Sequence, residues 1–369
     1  MAPEIILDRL RGLKSDCLIL DPMAGSGTVL RAAVEHGLDC IGFDADPLAV
    51  LMAKVWTRRI SAGLGEHASA LATRARQSKF VVPEWHSDCS ETMAFAKFWF
   101  EPKQYEDLSR LSLLLINEVG PIADALKLAL SRLIITKERG ASVARDTSHS
   151  RPHRVFFNND FDVLTQFVLA AKRIELRLKP EDIIGTATVK VGDARSLEVP
   201  PSSVDAVFTS PPYLNAIDYM RGHRLALIWL GYRIPTLRDI RSRSIGSETA
   251  MKGLSHDIIS DLPLLNLLRP RDRNIVQRYA FDIDNMLNQA KRAMKPGGTL
   301  LLVVGNSVIR DVNVSNADIN VLGALRNGFH IRKRFERDLP MGSRYLPVSG
   351  ADNPLNKRMR TETVLEFVS

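Results

Sequence analysis

At 369 residues the chain has room for one large domain or two ordinary ones, and 45% hydrophobic with 25% charged residues is the make-up of a folded globular protein. The formal net charge of +8 suits an anionic partner such as nucleic acid, although a basic surface is more often simply solvated. Cys17, Cys40 and Cys89 are too few and too scattered for a disulfide framework or a metal site, which points to a reducing cytoplasm; no window approaches the ~20 apolar residues of a membrane span, and the opening MAPEIILDRLRGLK lacks the apolar run of a signal peptide.

Residues 17–20 form an apolar run bounded by Asp16 and Asp21, the pattern of a buried parallel strand. A glycine-rich turn leads into a helix over 29–36, with Gly37 as its C-cap. Residues 39–43 read as a second strand, and Pro47 suits the first turn of the next helix, 48–57. Strand, helix, strand and helix in this order predict a parallel sheet. From 58 to 180 the text turns helix-prone and holds a basic polar stretch, KERGASVARDTSHSRPHR over 137–154, so this part reads as an insertion into a domain made of 1–57 and 181–369. Strand signals return at 186–191 and 204–208, a polar interruption runs from Arg233 to about Asp272, and a helix over 274–294 leads through Lys295-Pro296-Gly297-Gly298 into an apolar strand at 299–304. Cys17, Cys40, Trp85, Trp99 and Trp229 sit in apolar stretches and read as core, while Phe95, Phe98 and Phe100 suggest an apolar anchor for the insertion.

Two constellations carry chemistry. The first is DPMAGSGT, Asp21 to Thr28, with Ala24, Gly25 and Gly27 as small residues directly after a strand. Such residues let the backbone turn tightly and approach a ligand at the next helix N-terminus. Asp44, at the end of the second strand, lies about where an acidic residue takes ribose hydroxyls in dinucleotide folds. The loop lacks both the third glycine of the nicotinamide fingerprint and the lysine of a triphosphate-binding loop, which disfavours those ligands. The second constellation is TSPPY, Thr209 to Tyr213, again directly after a strand. Neither Pro211 nor Pro212 offers an N–H, so the strand ladder stops there and a rigid turn begins. An exocyclic amine conjugated to a base is a poor nucleophile; acceptors at Ser210 Oγ and the Pro211 carbonyl would draw its hydrogens and turn its lone pair outward, with Tyr213 as a stacking face. A base buried in a duplex must leave the stack to reach them.

With both motifs in place, the chain resembles the amino-methylating DNA methyltransferases, which carry a DPFxGSGT-like loop and a [DNS]PP[YFW] loop. The likeness covers 16–57, 186–230 and 280–335, and the string SPPYLNAIDYMRGHRLALIWLG is similar to a subgroup of bacterial DNA methylases. It implies a Rossmann-like α/β fold: a seven-stranded, mostly parallel sheet with one reversed strand near the end and a helical insertion. S-adenosylmethionine is the implied donor, with Asp21, Gly25, Gly27 and Thr28 at its methionine end, Asp44 on its ribose and Asp193, in the GDA after the third strand, on its adenine. Ser210, Pro211, Pro212 and Tyr213 then take the target base, and the serine version of the motif is similar to the group dominated by N4-cytosine enzymes, which also has N6-adenine members. Relatives place an aromatic residue ahead of the first strand to cover the adenine; residues 1–16 here hold none. Neither a metal nor a covalent cysteine adduct is expected for this transfer.

For DNA contact, Arg145, Arg151, His153 and Arg154 combine with hydroxyls in the mix usual for phosphates, against the equal reading of a solvated loop. Arg221 and Arg224 follow the TSPPY loop on one expected helix and suit the phosphates of an extruded nucleotide; Asp218 and Tyr219 line the pocket or are structural. His223 is not needed as a base, because the methylated amine sheds its proton to solvent. Two other readings stand beside this one: an RNA amino-methyltransferase, since several share a glycine loop and a [DN]PPY loop, and a non-catalytic nucleic-acid-binding relative. Nothing in the sequence specifies a recognition site, an oligomeric state or a restriction-system partner.

Overall fold

The computed structural model describes residues 3–136, 139–144, 154, 159–214, 218–247, 258–259, 266–310, 312–339 and 361–369. In chain order its elements are α1 (Pro3–Leu10), β1 (Leu18–Asp21), α2 (Thr28–Glu35), β2 (Asp39–Asp44), α3 (Pro47–Thr57), α4 (Leu64–Gln77), α5 (Glu84–Ser87), α6 (Ser90–Trp99), α7 (Pro102–Leu115), α8 (Pro121–Ser131), α9 (Val163–Glu175), β3 (Ala187–Val191), β4 (Val204–Thr209), α10 (Met220–Leu227), α11 (Ile234–Arg243), α12 (Pro270–Ala293), β5 (Met294–Val304), β6 (Ser307–Ile309), β7 (Val312–Val314), α13 (Asn316–Arg326), β8 (His330–Asp338) and β9 (Thr361–Val368). The described residues divide into two units, one of 1–45, 184–218 and 242–369 and one of 46–183 and 219–241.

The first unit is built on a seven-stranded sheet in the order β3-β2-β1-β4-β5-β9-β8. Strands β1 to β5 run parallel, and β9 runs antiparallel to both of its neighbours, β5 and β8. This is the mostly parallel α/β sheet with one reversed strand that the sequence resemblance implies. Central strands are mostly apolar because both of their faces are covered: Ile19, Leu20, Val207, Leu300 and Leu302 are all fully buried. Helix α12 supplies part of the cover. Its apolar residues at 276, 279, 280, 283, 286, 287 and 290 recur at three- and four-residue steps and face the sheet core. Val276, Ile283, Met286 and Leu287 among them each contribute about 1.5–3 kcal/mol on burial. Close packing shows at Gly42 of β2, where a Cβ would stand 2.3 Å from Leu30 Cδ1 of α2 and 3.2 Å from Ala24 Cβ.

The second unit is helical and has a core of its own, with Leu108, Leu111, Leu128, Phe167 and Trp229 at its centre. Its extent differs from the insertion expected over 58–180. It begins at Asp46, so it takes in α3, and it also includes 219–241, which carries α10. The reason lies in α3 itself: PLAVLMAKVWT is apolar on almost every side, and it packs against α8 and α10 as well as following β2. The polar stretch expected after Arg233 starts with a helix, α11, anchored by the buried Ile234 and Leu237. Trp99 and Trp229 are buried as expected, and Trp85, half-buried, donates Nε1–H to the Ile228 carbonyl at 2.6 Å. Phe100 is buried and Phe95 partly so, whereas Phe98 is exposed, edge-on to Trp99. Cys40 is core; Cys17, the residue before β1, is only half-buried.

Among the described residues no helix is long and apolar enough to cross a membrane, and no group of three His, Cys, Asp or Glu could hold a metal ion.

Candidate functional site

Four loops leave the carboxyl ends of four neighbouring strands, which is where open α/β sheets bind ligands. Strand β1 feeds the Asp21–Thr28 loop, β2 ends at Asp44, β3 leads through Gly192 to Asp193, and β4 leads through Thr209 to the Ser210–Tyr213 loop. Because β1 lies between β2 and β4 and pairs parallel with both, residues far apart in sequence meet at one edge.

The meeting is made by hydrogen bonds. Asp21 Oδ1 accepts from Thr209 Oγ1 at 2.7 Å and from the Met23 amide at 3.1 Å, tying the glycine loop to the strand end from which the Ser-Pro-Pro-Tyr loop departs. Asp44 Oδ2 accepts from the Gly25 amide at 2.8 Å, and the Gly192 amide donates to the Asp44 carbonyl at 3.0 Å. Asp21 is 2% exposed, and burial, partly offset by the Thr209 and Met23 hydrogen bonds, raises its carboxyl to about 7.

Gly25 and Gly27 both take positive φ, 52° and 86°, which a side chain would strain. At Gly25 an added Cβ would meet nothing within 4 Å, so the backbone there faces open space. Gly27 is the N-cap of α2, and Thr28 begins that helix. A glycine backbone facing space and the N-terminal turn of a helix suit an anionic group, and the two carboxylates on the adjoining loops, Asp44 and Asp193, suit hydroxyl and amino groups, so the edge fits a ligand that carries both. Ala24, the remaining small residue, is buried and donates its amide to the Phe43 carbonyl at 2.8 Å.

In the second loop Ser210 Oγ donates to the Val303 carbonyl of β5 at 2.8 Å. That bond uses the hydroxyl's one hydrogen and leaves its oxygen as an acceptor. Pro211 is buried and Pro212 exposed. Tyr213 packs against the sheet core and donates its hydroxyl to Glu362 Oε1 of β9 at 2.9 Å; Glu362 in turn accepts from Arg337 Nε of β8 at 3.2 Å. Glu362 and Val303 escape sequence reasoning, because they lie 149 and 93 residues from their partners and no local motif marks them.

Asp193 is held by Arg195: Oδ1 accepts from Arg195 Nε and the Arg195 amide, each at 2.9 Å, and Oδ2 accepts from Nη2 at 2.6 Å. Burial pushes the Asp193 carboxyl up, but these hydrogen bonds and the guanidinium charge outweigh it and hold it below the usual carboxylate range.

Of the cations assigned to nucleic acid, Arg145, Arg151 and His153 lie outside the described residues. Arg154 pairs with Glu101 at 2.8 Å and lies 5.8 Å from the Phe98 ring centroid. Arg221 and Arg224 are both on α10, the latter's guanidinium 5.0 Å from the Phe95 centroid. On the same helix His223 Nδ1 meets Asp46 Oδ2 at 2.5 Å. That carboxylate also N-caps α3 through the Leu48 amide, so His223 is engaged structurally within the helical unit.

The sheet order, with its reversed last strand, decides the architecture. The fold is a Rossmann-like α/β sheet of seven strands, mostly parallel, with helices. No protein-family model matches the chain. Among curated proteins it is similar to the type II methyltransferase M.MvaI of Kocuria varians, 25% identical over 373 residues, covering 92% of this chain and 80% of that protein. Among solved structures it aligns with an S-adenosylmethionine-dependent methyltransferase of Methanosarcina mazei at 11% identity and a TM-score of 0.36, covering 100% of this chain and 98% of that one. It also aligns with a DNA modification methylase of Thermus thermophilus at 16% identity and a TM-score of 0.26, over 48% of this chain and 50% of that one.

Proposed function

We propose that this protein transfers a methyl group from S-adenosylmethionine to an exocyclic amino nitrogen of a DNA base, with cytosine N4 favoured over adenine N6. The observation that carries the proposal is the 2.7 Å hydrogen bond from Thr209 to Asp21, which brings the glycine loop and the Ser-Pro-Pro-Tyr loop to one sheet edge. The likeness to a type II methyltransferase along nearly the whole chain supports the same reading.

In this reading the bound donor supplies an electrophilic methyl carbon on a sulfonium. The backbone at Gly25, Gly27 and Thr28, with Asp21 and Ala24, lines the donor's methionine end, Asp44 takes the ribose hydroxyls and Asp193 the adenine amino group. Ser210 Oγ, its hydrogen committed to Val303, accepts one amine hydrogen of the base, and the Pro211 carbonyl accepts the other. With both hydrogens held in this way, the nitrogen lone pair would be turned toward the donor side of the site, ready to take the methyl group that a bound donor would supply. The surplus proton leaves the amine for solvent. Tyr213, its ring set by Glu362, stacks on a base that has left the duplex, and Pro212 stiffens the turn. Arg221 and Arg224 of α10, with Arg145, Arg151, His153 and Arg154, take phosphates, and the helical unit carries sequence recognition.

Nucleoside mass spectrometry of DNA from cells expressing the protein tests this directly. N4-methylcytosine is expected; N6-methyladenine would correct the base. Incubation with labelled donor and either genomic DNA or total RNA separates the DNA reading from the RNA one. Label in neither, from folded protein, would leave only the non-catalytic relative.

A further inference from the structure

Arg195 lies two residues beyond Asp193 and spends its guanidinium on three partners. Its guanidinium donates to Asp193 through Nε at 2.9 Å and Nη2 at 2.6 Å, to Asp282 of α12 through Nη1 at 2.6 Å, and to the Arg243 carbonyl through Nη2 at 2.7 Å. Asp282 is 1% exposed and makes a second ion pair, at 3.5 Å, with Arg278 one turn earlier. Arg278 Nη2 donates to the Ser242 carbonyl at 2.9 Å. Two guanidiniums therefore hold the carbonyls that end α11.

The chain continues from these carbonyls into a tight turn. Ser247 returns to the Ser244 carbonyl through its amide and to the Ser242 carbonyl through its hydroxyl, each at 3.1 Å. Gly246, at φ 79°, packs its backbone on the base-binding loop: an added Cβ would meet the Tyr213 carbonyl oxygen at 3.4 Å and Pro212 Cβ at 3.8 Å. Ile245 and Tyr213 pack against the same apolar core.

We infer that Arg195 is a positioning residue for both halves of the reaction: one fork orients the Asp193 carboxylate toward the donor, while its third direction fixes the 242–247 turn that braces the Pro212–Tyr213 loop against the base. This rests on the methyl-transfer reading. Asp193 Oδ1 accepts two hydrogens and Oδ2 one, so Oδ2 retains acceptor capacity for an adenine amino group with its direction already set. Arginine suits the position because its rigid planar fork grips the Asp193 carboxylate through Nε and Nη2 while Nη1 reaches Asp282, a bidentate geometry that the point charge of an ammonium does not provide.

The test compares D193N, R195K and R195Q by donor binding (S-adenosylmethionine, calorimetry) and by methylation kinetics on unmethylated genomic DNA. D193N should weaken donor binding about tenfold, the scale of one charge-assisted hydrogen bond, and leave the KM for DNA unchanged. R195Q should weaken donor binding and raise the DNA KM, each about tenfold. R195K, whose ammonium still neutralises the aspartates, should keep donor affinity within about threefold and raise the DNA KM alone. A merely structural residue would lower the active fraction, and so kcat, without moving either constant; that result, or R195K with a wild-type DNA KM, overturns the inference alone. Should R195Q fail to fold, R195K still decides. Folded wild-type protein that neither binds the donor nor methylates DNA overturns the methyl-transfer reading, and this inference with it.

Discussion

Asp21 sits where two demands meet. It is buried among apolar strands, which penalises its charge, yet it must accept hydrogens from Thr209 and Met23 to keep two loops together. With its carboxyl raised from 3.8 to about 7, the folded protein binds this proton more tightly than the unfolded chain does. The stabilisation linked to that proton is therefore complete below about pH 4 and is lost as pH rises through 7. Thermal melts of wild type and Asp21→Asn across pH 5–8 should show the difference: the variant still accepts from Thr209 but loses the titration, so its Tm relative to wild type rises with pH. A constant Tm difference over that range would rule the ionisation out. At Ser210 the expectation concerns rate. Ser210→Ala removes an acceptor without disturbing the apolar packing, so single-turnover methylation should slow by about tenfold or more while donor affinity holds. Tyr213→Phe keeps the stacking face and loses only the bond to Glu362, so its DNA KM should rise less than that of Tyr213→Ala.

At the level of elements, tight helix–strand packing makes Gly42 a sensitive point. Gly42→Ala would force Leu30 of α2 away from β2, and a destabilisation of about 1–3 kcal/mol is expected in urea unfolding; an unchanged midpoint would mean that α2 shifts at no cost. The strands that place the site were legible because each pairs an apolar run with a flanking turn signal: β1, β2, β3 and β4 each fall within a residue or so of their expected bounds. The two loops were legible for the same reason, glycines and prolines being local facts. What escaped was set by distance along the chain. Nothing near Glu362 announces that it will receive Tyr213, nor near Val303 that it will receive Ser210, because both contacts arise only when β4, β5 and β9 lie side by side. Helix α3 followed β2 as expected, but its apolar surface gave it a place in the helical core that periodicity alone does not reveal.

For the whole molecule, the net charge of +8 sets how it meets a polyanion. Affinity for duplex DNA should fall linearly on a log–log plot against salt, with a slope of about −0.9 for each phosphate neutralised. Arg221→Ala and Arg224→Ala should each reduce the slope by about one; slopes equal to wild type would remove these residues from the phosphate contacts. The sheet itself carries a constraint on timing. β9 pairs with β5 on one side and with β8 on the other, so among the described strands β8, although made first, has no partner in the sheet until residues 361–368 arrive. During synthesis the nascent chain must therefore hold the exposed edge of β5 apart from foreign strands until β9 has been made, and a ribosome stalled before residue 361 would present that edge to chaperones or aggregation.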